Sequence, residues 1–271
     1  MRYNRTESNM KKDYKIAFID IDWTILNHKD GHNFDAPSVE ALKKAQEEGV
    51  LIYFCTARTY ASASLTGLFD LIKPDGMICT NGNVIFVGDA LLEAKTIPEA
   101  LVKRVLKAAN RHHVVLEFAG LKDKYFTSKI NQYVINYLSV YYESMPEVRK
   151  NAIENVTEIL AFIPEKYDAK LMKELPEEMK YYRYDTYGVN ISYSSGKKGD
   201  AVTKVLAHLG IATEQSFAIG DSKDDISMFE AVGTSIAMGN YKDDEVKEKA
   251  TTVTETIDDH GVATAIANLL Y

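Results

Sequence analysis

The chain has 271 residues, 46% hydrophobic and 26% charged, a soluble balance sufficient to bury one large core or two modest ones. Its 32 Lys and Arg against 39 Asp and Glu leave a net charge of −7, a field that disfavours nucleic acid and anionic membranes as partners. Any anionic ligand would need local cations or a metal.

The opening residues, Met1 to Lys12, are polar and lack the apolar centre of a signal peptide. No uninterrupted apolar stretch is long enough to cross a bilayer. A cytoplasmic location is expected, with the sequons at Asn4 and Asn155 as chance matches. Cys55 and Cys79 show neither CxxC nor His spacing, which predicts reduced, buried thiols.

Lys15-Ile-Ala-Phe-Ile-Asp20 reads as a short strand ending at a carboxylate. A helix follows, with Asp35 or Ser38 as its cap, Pro37 in its first turn, Val39, Leu42 and Ala45 on one face and Gly49 as terminator. Val50 to Cys55 is apolar throughout, as in a parallel strand covered on both faces. Gly76 to Cys79 is a further strand, and Asn81-Gly82 is a hairpin turn signal before Val84 to Val87.

The segment from about Asn83 to Asn190 is rich in Tyr (Tyr125, Tyr137, Tyr142, Tyr182 and Tyr184 among them). A helix over Pro98 to Ala109 and imperfectly alternating strands at Val114 to Phe118, Glu158 to Ile163 and Lys180 to Tyr184 mark it as an inserted α+β unit. Alternation then resumes with a helix over Gly199–Leu209, a strand over Ser216–Gly220, a helix over Asp225–Val232 and a strand over Thr234–Met238. A last strand, Thr251–Thr254, and helix, Val262–Leu270, complete it. The expected fold is α/β: an open, doubly wound parallel sheet formed by 13–82 and 191–271, with 83–190 as an inserted α+β cap.

Four segments carry candidate chemistry, each at the carboxyl end of a strand or a neighbouring helix start, the edge where open α/β sheets bind ligands. Asp20-Ile21-Asp22 offers one carboxylate as nucleophile and a second as general acid and base. Thr56-Ala57-Arg58 offers a hydroxyl and a guanidinium suited to phosphate oxygens. Gly196-Lys197-Lys198-Gly199 puts lysines at a helix start, where the dipole disfavours them unless an anion is near. Gly220-Asp221-Ser222-Lys223-Asp224-Asp225 crowds three carboxylates that repel one another unless protons or a cation intervene, and hard oxygen ligands suit Mg²⁺. Each has a plain alternative: a capped turn, a helix cap with a surface Arg, a solvated basic turn, an acidic first helical turn. The last of these explains Asp224 and Asp225 but not Asp221. The six histidines show no zinc spacing, so no transition-metal site is assigned.

In order and placement these segments resemble the haloacid dehalogenase superfamily, in particular its Cof-type phosphatases with a large α/β cap, from about Tyr14 to the C-terminus. The resemblance implies a Mg²⁺-dependent phosphatase that hydrolyses small phosphorylated metabolites through an aspartyl-phosphate. It makes Asp20 the nucleophile, Asp22 the acid/base, Thr56 and Lys198 the phosphate-binding pair, and Asp221 the main Mg²⁺ carboxylate with Asp225 supporting it. The family also ligates Mg²⁺ through the nucleophile and the backbone carbonyl at the Asp22 position. Asn81-Gly82 matches the family's Asn-Gly before the cap, and Arg58, Asn81 and Asp224 are placed on the substrate side. A phosphomutase of the same superfamily and a non-catalytic phosphometabolite sensor are the alternatives; a receiver domain ranks last, lacking the insertion and the late acidic segment.

Three positions depart from the family pattern. Trp23, the only tryptophan, and Ala57 stand where glycine is usual, and Asp224 where asparagine is usual. A carboxylate at 224 is expected to repel phosphate unless protonated, turned away or metal-bound. Trp23 is expected to pack at the boundary with the insertion, in preference to lining the substrate pocket.

Overall fold

The computed structural model describes residues 13–29, 33–141, 147–149, 153–183, 186–193 and 196–271. The strands of the first part are β1 (Ile16–Ile19), β2 (Leu26–Asn27), β3 (Asn33–Phe34), β4 (Leu51–Cys55), β5 (Gly76–Cys79), β6 (Val84–Val87) and β7 (Ala90–Ala94). The middle contributes β8 (Val115–Ala119), β9 (Lys124–Phe126), β10 (Glu147–Val148), β11 (Glu158–Phe162), β12 (Lys180–Arg183) and β13 (Gly188–Ser192). The last part adds β14 (Ser216–Gly220), β15 (Thr234–Ala237) and β16 (Thr252–Val253). Among the described residues they form an eight-stranded sheet ordered β16-β15-β14-β1-β4-β5-β6-β7, a six-stranded sheet ordered β10-β9-β8-β11-β13-β12, and the small hairpin β2-β3.

The apolar runs of β1 and β4 follow from burial on both faces. Ala17, Ile19, Ile52 and Phe54 pack with the helices Ala36–Glu47 and Gly261–Leu270 on one side. Ile16, Phe18, Tyr53 and Cys55 pack with Val202, Val205 and Leu206 of the helix Lys198–Leu209 on the other. Parallel register brings three strand ends level, because Ile19 pairs with both Phe54 and Ile219. Asp20, Thr56 and Asp221, each the residue after its strand, therefore share one sheet edge.

The helix expected after Asp35 spans Ala36–Glu47, with Pro37 in its first turn and Gly49 at φ +94° behind it. Asp35 occupies the cap position but uses its carboxylate on Ser38 and His260 rather than on the helix N–H groups. The helix expected over Asp225–Val232 is shorter: a 3-10 turn at Lys223–Asp225 leads into Ile226–Phe229. A capping box between Ser222 and Asp225 fixes its start. Cys55 and Cys79 are free and buried, as expected.

The larger sheet runs past the expected boundary at 82/83. Asn81-Gly82 turns β5 into the antiparallel β6, and β7 pairs with β6 in turn. We accordingly place the change of unit after Ala94, and on the return after Ser192, where β13 leaves the second sheet. That sheet carries the helix Glu99–Arg111 on one face, through Val102, Val105 and Ala109, and the helix Gln132–Tyr141 on the other, through Val134 and Leu138. Of its tyrosines, Tyr125 and Tyr137 are buried and Tyr182 is exposed. Tyr142 and Tyr184, like Asn4 and His32, lie outside the described residues. No helix among the described residues is long and apolar enough to cross a membrane.

The helices Lys198–Leu209 and Ile226–Phe229 approach so closely that a Cβ at Gly199 would lie 2.0 Å from the Ser227 carbonyl oxygen. Gly199→Ala is expected to force them apart and destabilise the protein by about 1–3 kcal/mol, by the cost of overpacking. A urea midpoint equal to wild type would show that the helices separate freely.

Candidate active site

The level strand ends bring carboxylates and one ammonium together. Lys198 Nζ donates to Asp20 Oδ1 at 2.5 Å and to Asp225 Oδ1 at 2.6 Å, and all three side chains are buried. Asp225 Oδ2 accepts the Asp221 and Ser222 N–H groups at 3.1 and 3.0 Å and the Ser222 hydroxyl at 3.1 Å. Asp225 thus shapes the loop that presents Asp221, whose Oδ1 receives a long contact of 3.4 Å from the Thr24 hydroxyl. Carboxylate oxygens of Asp20, Asp221 and Asp225 lie within 4.8 Å of one another.

The charges do not balance. Burial pushes the Asp20 carboxyl well above the usual range, against the pull of Lys198 and with the negative charges of Asp225 and Asp221 adding to it. Asp221 rises to about 7, through burial and then the Asp225 charge. Burial opposes the charge on Lys198, but Asp20 and Asp225 outweigh it and raise its pKa well above the ordinary value. Three buried carboxylates against one ammonium leave two negative charges, which a divalent cation would cancel. Oxygen donors of this kind, converging from three chain segments, fit Mg²⁺.

Asp22 is held differently. Arg58 Nε donates to its two oxygens at 3.1 and 2.9 Å, Arg58 Nη2 adds a 2.7 Å bond to Oδ1, and His28 Nε2 lies 2.7 Å from Oδ1. Burial alone would raise this carboxyl; the hydrogen bonds from His28 and Arg58 hold it well below the usual range. Arg58, expected to meet phosphate, therefore spends its fork on Asp22, because a planar guanidinium and a nearby half-buried carboxylate satisfy each other bidentately. Thr56 is buried and its Oγ1 accepts the Arg58 N–H at 3.0 Å, leaving its own proton to donate.

Asp20, Asp22, Trp23, Ala57, Lys198, Asp221, Ser222 and Asp224 line one cavity of about 360 Å³, with Lys223, Lys242, Asp243 and Val246 completing its wall. Asp224 is exposed there and accepts a 3.4 Å contact from Asn81 Nδ2. Asn81 and the preceding Thr80 both have φ +52°, and Asn81 Oδ1 and Thr80 Oγ1 are buried without hydrogen-bond partners. Trp23 lines the cavity, the alternative ranked second on sequence, and its ring contacts His28 and Lys242. His28, Thr24, Ser222 and Lys242 were not legible as site residues; the only sequence signal for His28 is its place six residues after Asp22.

A family profile described as haloacid dehalogenase-like hydrolase matches residues 17–266. A 5-amino-6-(5-phospho-D-ribitylamino)uracil phosphatase of Bacillus subtilis is 30% identical, over 94% of this chain and 98% of the relative. A phosphoglycolate phosphatase of Saccharolobus solfataricus is 24% identical over 94% of this chain and 96% of its own length. Among solved structures, the subclass IIB sugar phosphatase BT4131 superposes with TM-score 0.73 at 25% identity, covering 94% of this chain and 98% of that one. A Geobacillus kaustophilus protein superposes with TM-score 0.84 at 22% identity, over 94% of this chain and 98% of the other.

The raised Asp221 pKa has a measurable consequence. A carboxyl whose folded-state pKa exceeds its unfolded value stabilises the fold below the unfolded value and loses that contribution as pH rises through the folded one, here about 7. The Tm of the metal-free protein is expected to fall between about pH 5 and pH 8. Added Mg²⁺ should raise Tm more at the higher pH, where it replaces the lost proton. Equal Mg²⁺ increments at both pH values would count against this cluster as the cation site.

Proposed function

The chain belongs to the haloacid dehalogenase-like hydrolases, and from that membership we propose that it is a Mg²⁺-dependent phosphatase acting on small phosphorylated metabolites in the cytoplasm. The observation that carries this reading is the buried Lys198 bridge between Asp20 and Asp225, with Asp221 alongside. Phosphoryl transfer asks mainly for positioning and for neutralisation of phosphate charge. Mg²⁺, when bound by Asp20, Asp221 and the Asp22 backbone carbonyl, with Asp225 beside them, would supply the positive charge that the carboxylates otherwise lack.

Asp20 attacks phosphorus through the carboxylate oxygen not engaged by Lys198, and the ester oxygen leaves with a proton from Asp22. Water then attacks the resulting acyl-phosphate, giving its proton back to Asp22 and releasing phosphate from the restored Asp20 carboxylate. Lys198 and Thr56 hold phosphate oxygens. Asp22 is held ionised by Arg58 and His28, so acting as an acid requires it to take up a proton and loosen the Arg58 fork. The named relatives support the hydrolytic outcome, which also separates this reading from a phosphomutase.

A screen of phosphorylated metabolites for phosphate release, with Mg²⁺ and with excess chelator, tests the reading. Asp20→Asn should abolish release, and Asp22→Asn should lower kcat by about 10²–10⁴-fold, the usual contribution of a general acid. Full activity in chelator, or wild-type turnover by Asp20→Asn, would overturn it.

A further inference from the structure

Three lysines line the cavity, and their charges are not equally available. Lys198 is shared between Asp20 and Asp225. Lys223 lies 3.1 Å from Asp243 and 3.7 Å from Glu245. Lys242 has no described carboxylate within ion-pair distance, although its charge is felt by Asp221; its Nζ sits 5.4 Å from the centre of the Trp23 ring. An ion pair cancels a lysine's charge, whereas an aromatic face orients an ammonium and leaves its charge uncancelled.

Trp23 is held in place at some cost. Its φ of +61° is a left-handed conformation that bulky residues avoid. Two hydrogen bonds impose it: its N–H donates to the Leu26 carbonyl at 2.9 Å, and its own carbonyl accepts the Asn240 side-chain amide at 2.8 Å. The His28 ring supports the indole at 5.2 Å between ring centres. Such strain persists only where the surroundings over-determine it, and it gathers at sites of function. Here it presents an oriented cation at the wall of a cavity that also holds Asp224, while Asp22 and Asp243 in the same wall are paired with Arg58 and Lys223.

The group being hydrolysed has its own partners in Lys198, Thr56 and the cation. An uncharged leaving group has no use for Lys242, and an acidic one would meet the repulsion of Asp224 without it. We propose that Lys242, presented by Trp23, is a specificity-determining residue that pairs with a second acidic group, carboxylate or phosphate, on the leaving group. The preferred substrates are then phosphate monoesters that carry a second negative charge close to the ester. This deepens the phosphatase reading and rests on it.

Phosphoglycolate and ethyl phosphate form a matched pair that differs in a carboxylate against a methyl. Wild type should favour phosphoglycolate, and Lys242→Met should lower the ratio of the two kcat/KM values about tenfold through KM, one charge-assisted contact's worth. Trp23→Leu should move the ratio the same way, and Trp23→Phe, which keeps an aromatic face, should retain most of it. An unchanged ratio, including an equal loss on both substrates, would overturn the inference. Binding supplies a second readout, since Trp23 is the only tryptophan and its emission reports on its face. With Mg²⁺ present, phosphonopropionate should bind more tightly than propylphosphonate to wild type and no more tightly to Lys242→Met. Equal binding of the two by wild type would sink the role of Lys242 even in an active phosphatase. A carboxylate preference without phosphate release from any substrate would retain it and remove the phosphatase reading.

Discussion

The buried bridge from Lys198 to Asp20 and Asp225 is the interaction on which the site depends. A desolvated ammonium needs anionic partners, and Asp20 and Asp225 hold Lys198 in its charged form, whereas burial leaves Asp20 itself in want of a cation or a proton. The bridge also ties three distant stretches together: the end of β1, the start of the helix Lys198–Leu209, and the turn after β14. Its geometry is possible only because Ile19 and Ile219 are level in a parallel register and because Gly199 lets two helices meet closely. Core packing and site chemistry are in this sense one requirement.

Around the bridge the two functional carboxylates are tuned in opposite directions by their neighbours. Asp20 sits among like charges and favours a cation nearby, while Asp22 is gripped by Arg58 and His28 and stays ionised without one. On the proposed reading, the same residue type would serve as nucleophile at one position and as a guanidinium-held acid and base two residues later.

Most of the larger sheet was legible in the sequence because strands buried on both faces leave continuous apolar runs such as Leu51–Cys55. Three of the four chemical segments were legible because each begins where such a run stops, and the one at 196–199 because its glycines and lysines open a helix. The pairing of Arg58 with Asp22 was not, since a guanidinium after a strand serves a phosphate or a carboxylate equally well and only the fold decides. Nor was the edge of the sheet: the Asn81-Gly82 turn is visible, but nothing in Val84–Val87 says whether that strand folds back on β5 or begins a new unit. Trp23 misleads for a different reason. Its bulk argues for packing and against a left-handed backbone, and a local bond to Leu26 together with one from the distant Asn240 side chain reverses both expectations.

One consequence of the sheet topology reaches beyond this molecule. The bridge, the candidate cation site, the Arg58 fork and the Trp23–Lys242 pair draw no residue from the stretch between Ala94 and Ser192. The chain leaves the larger sheet after β7 and returns through the helix Lys198–Leu209 to β14, so about a hundred residues lie between the elements that form the acidic centre. Such an arrangement separates what the acidic centre requires from what the inserted stretch is free to change. The inserted stretch is open to recombination or drift on its own evolutionary clock, while the acidic centre stays bound by its charge balance.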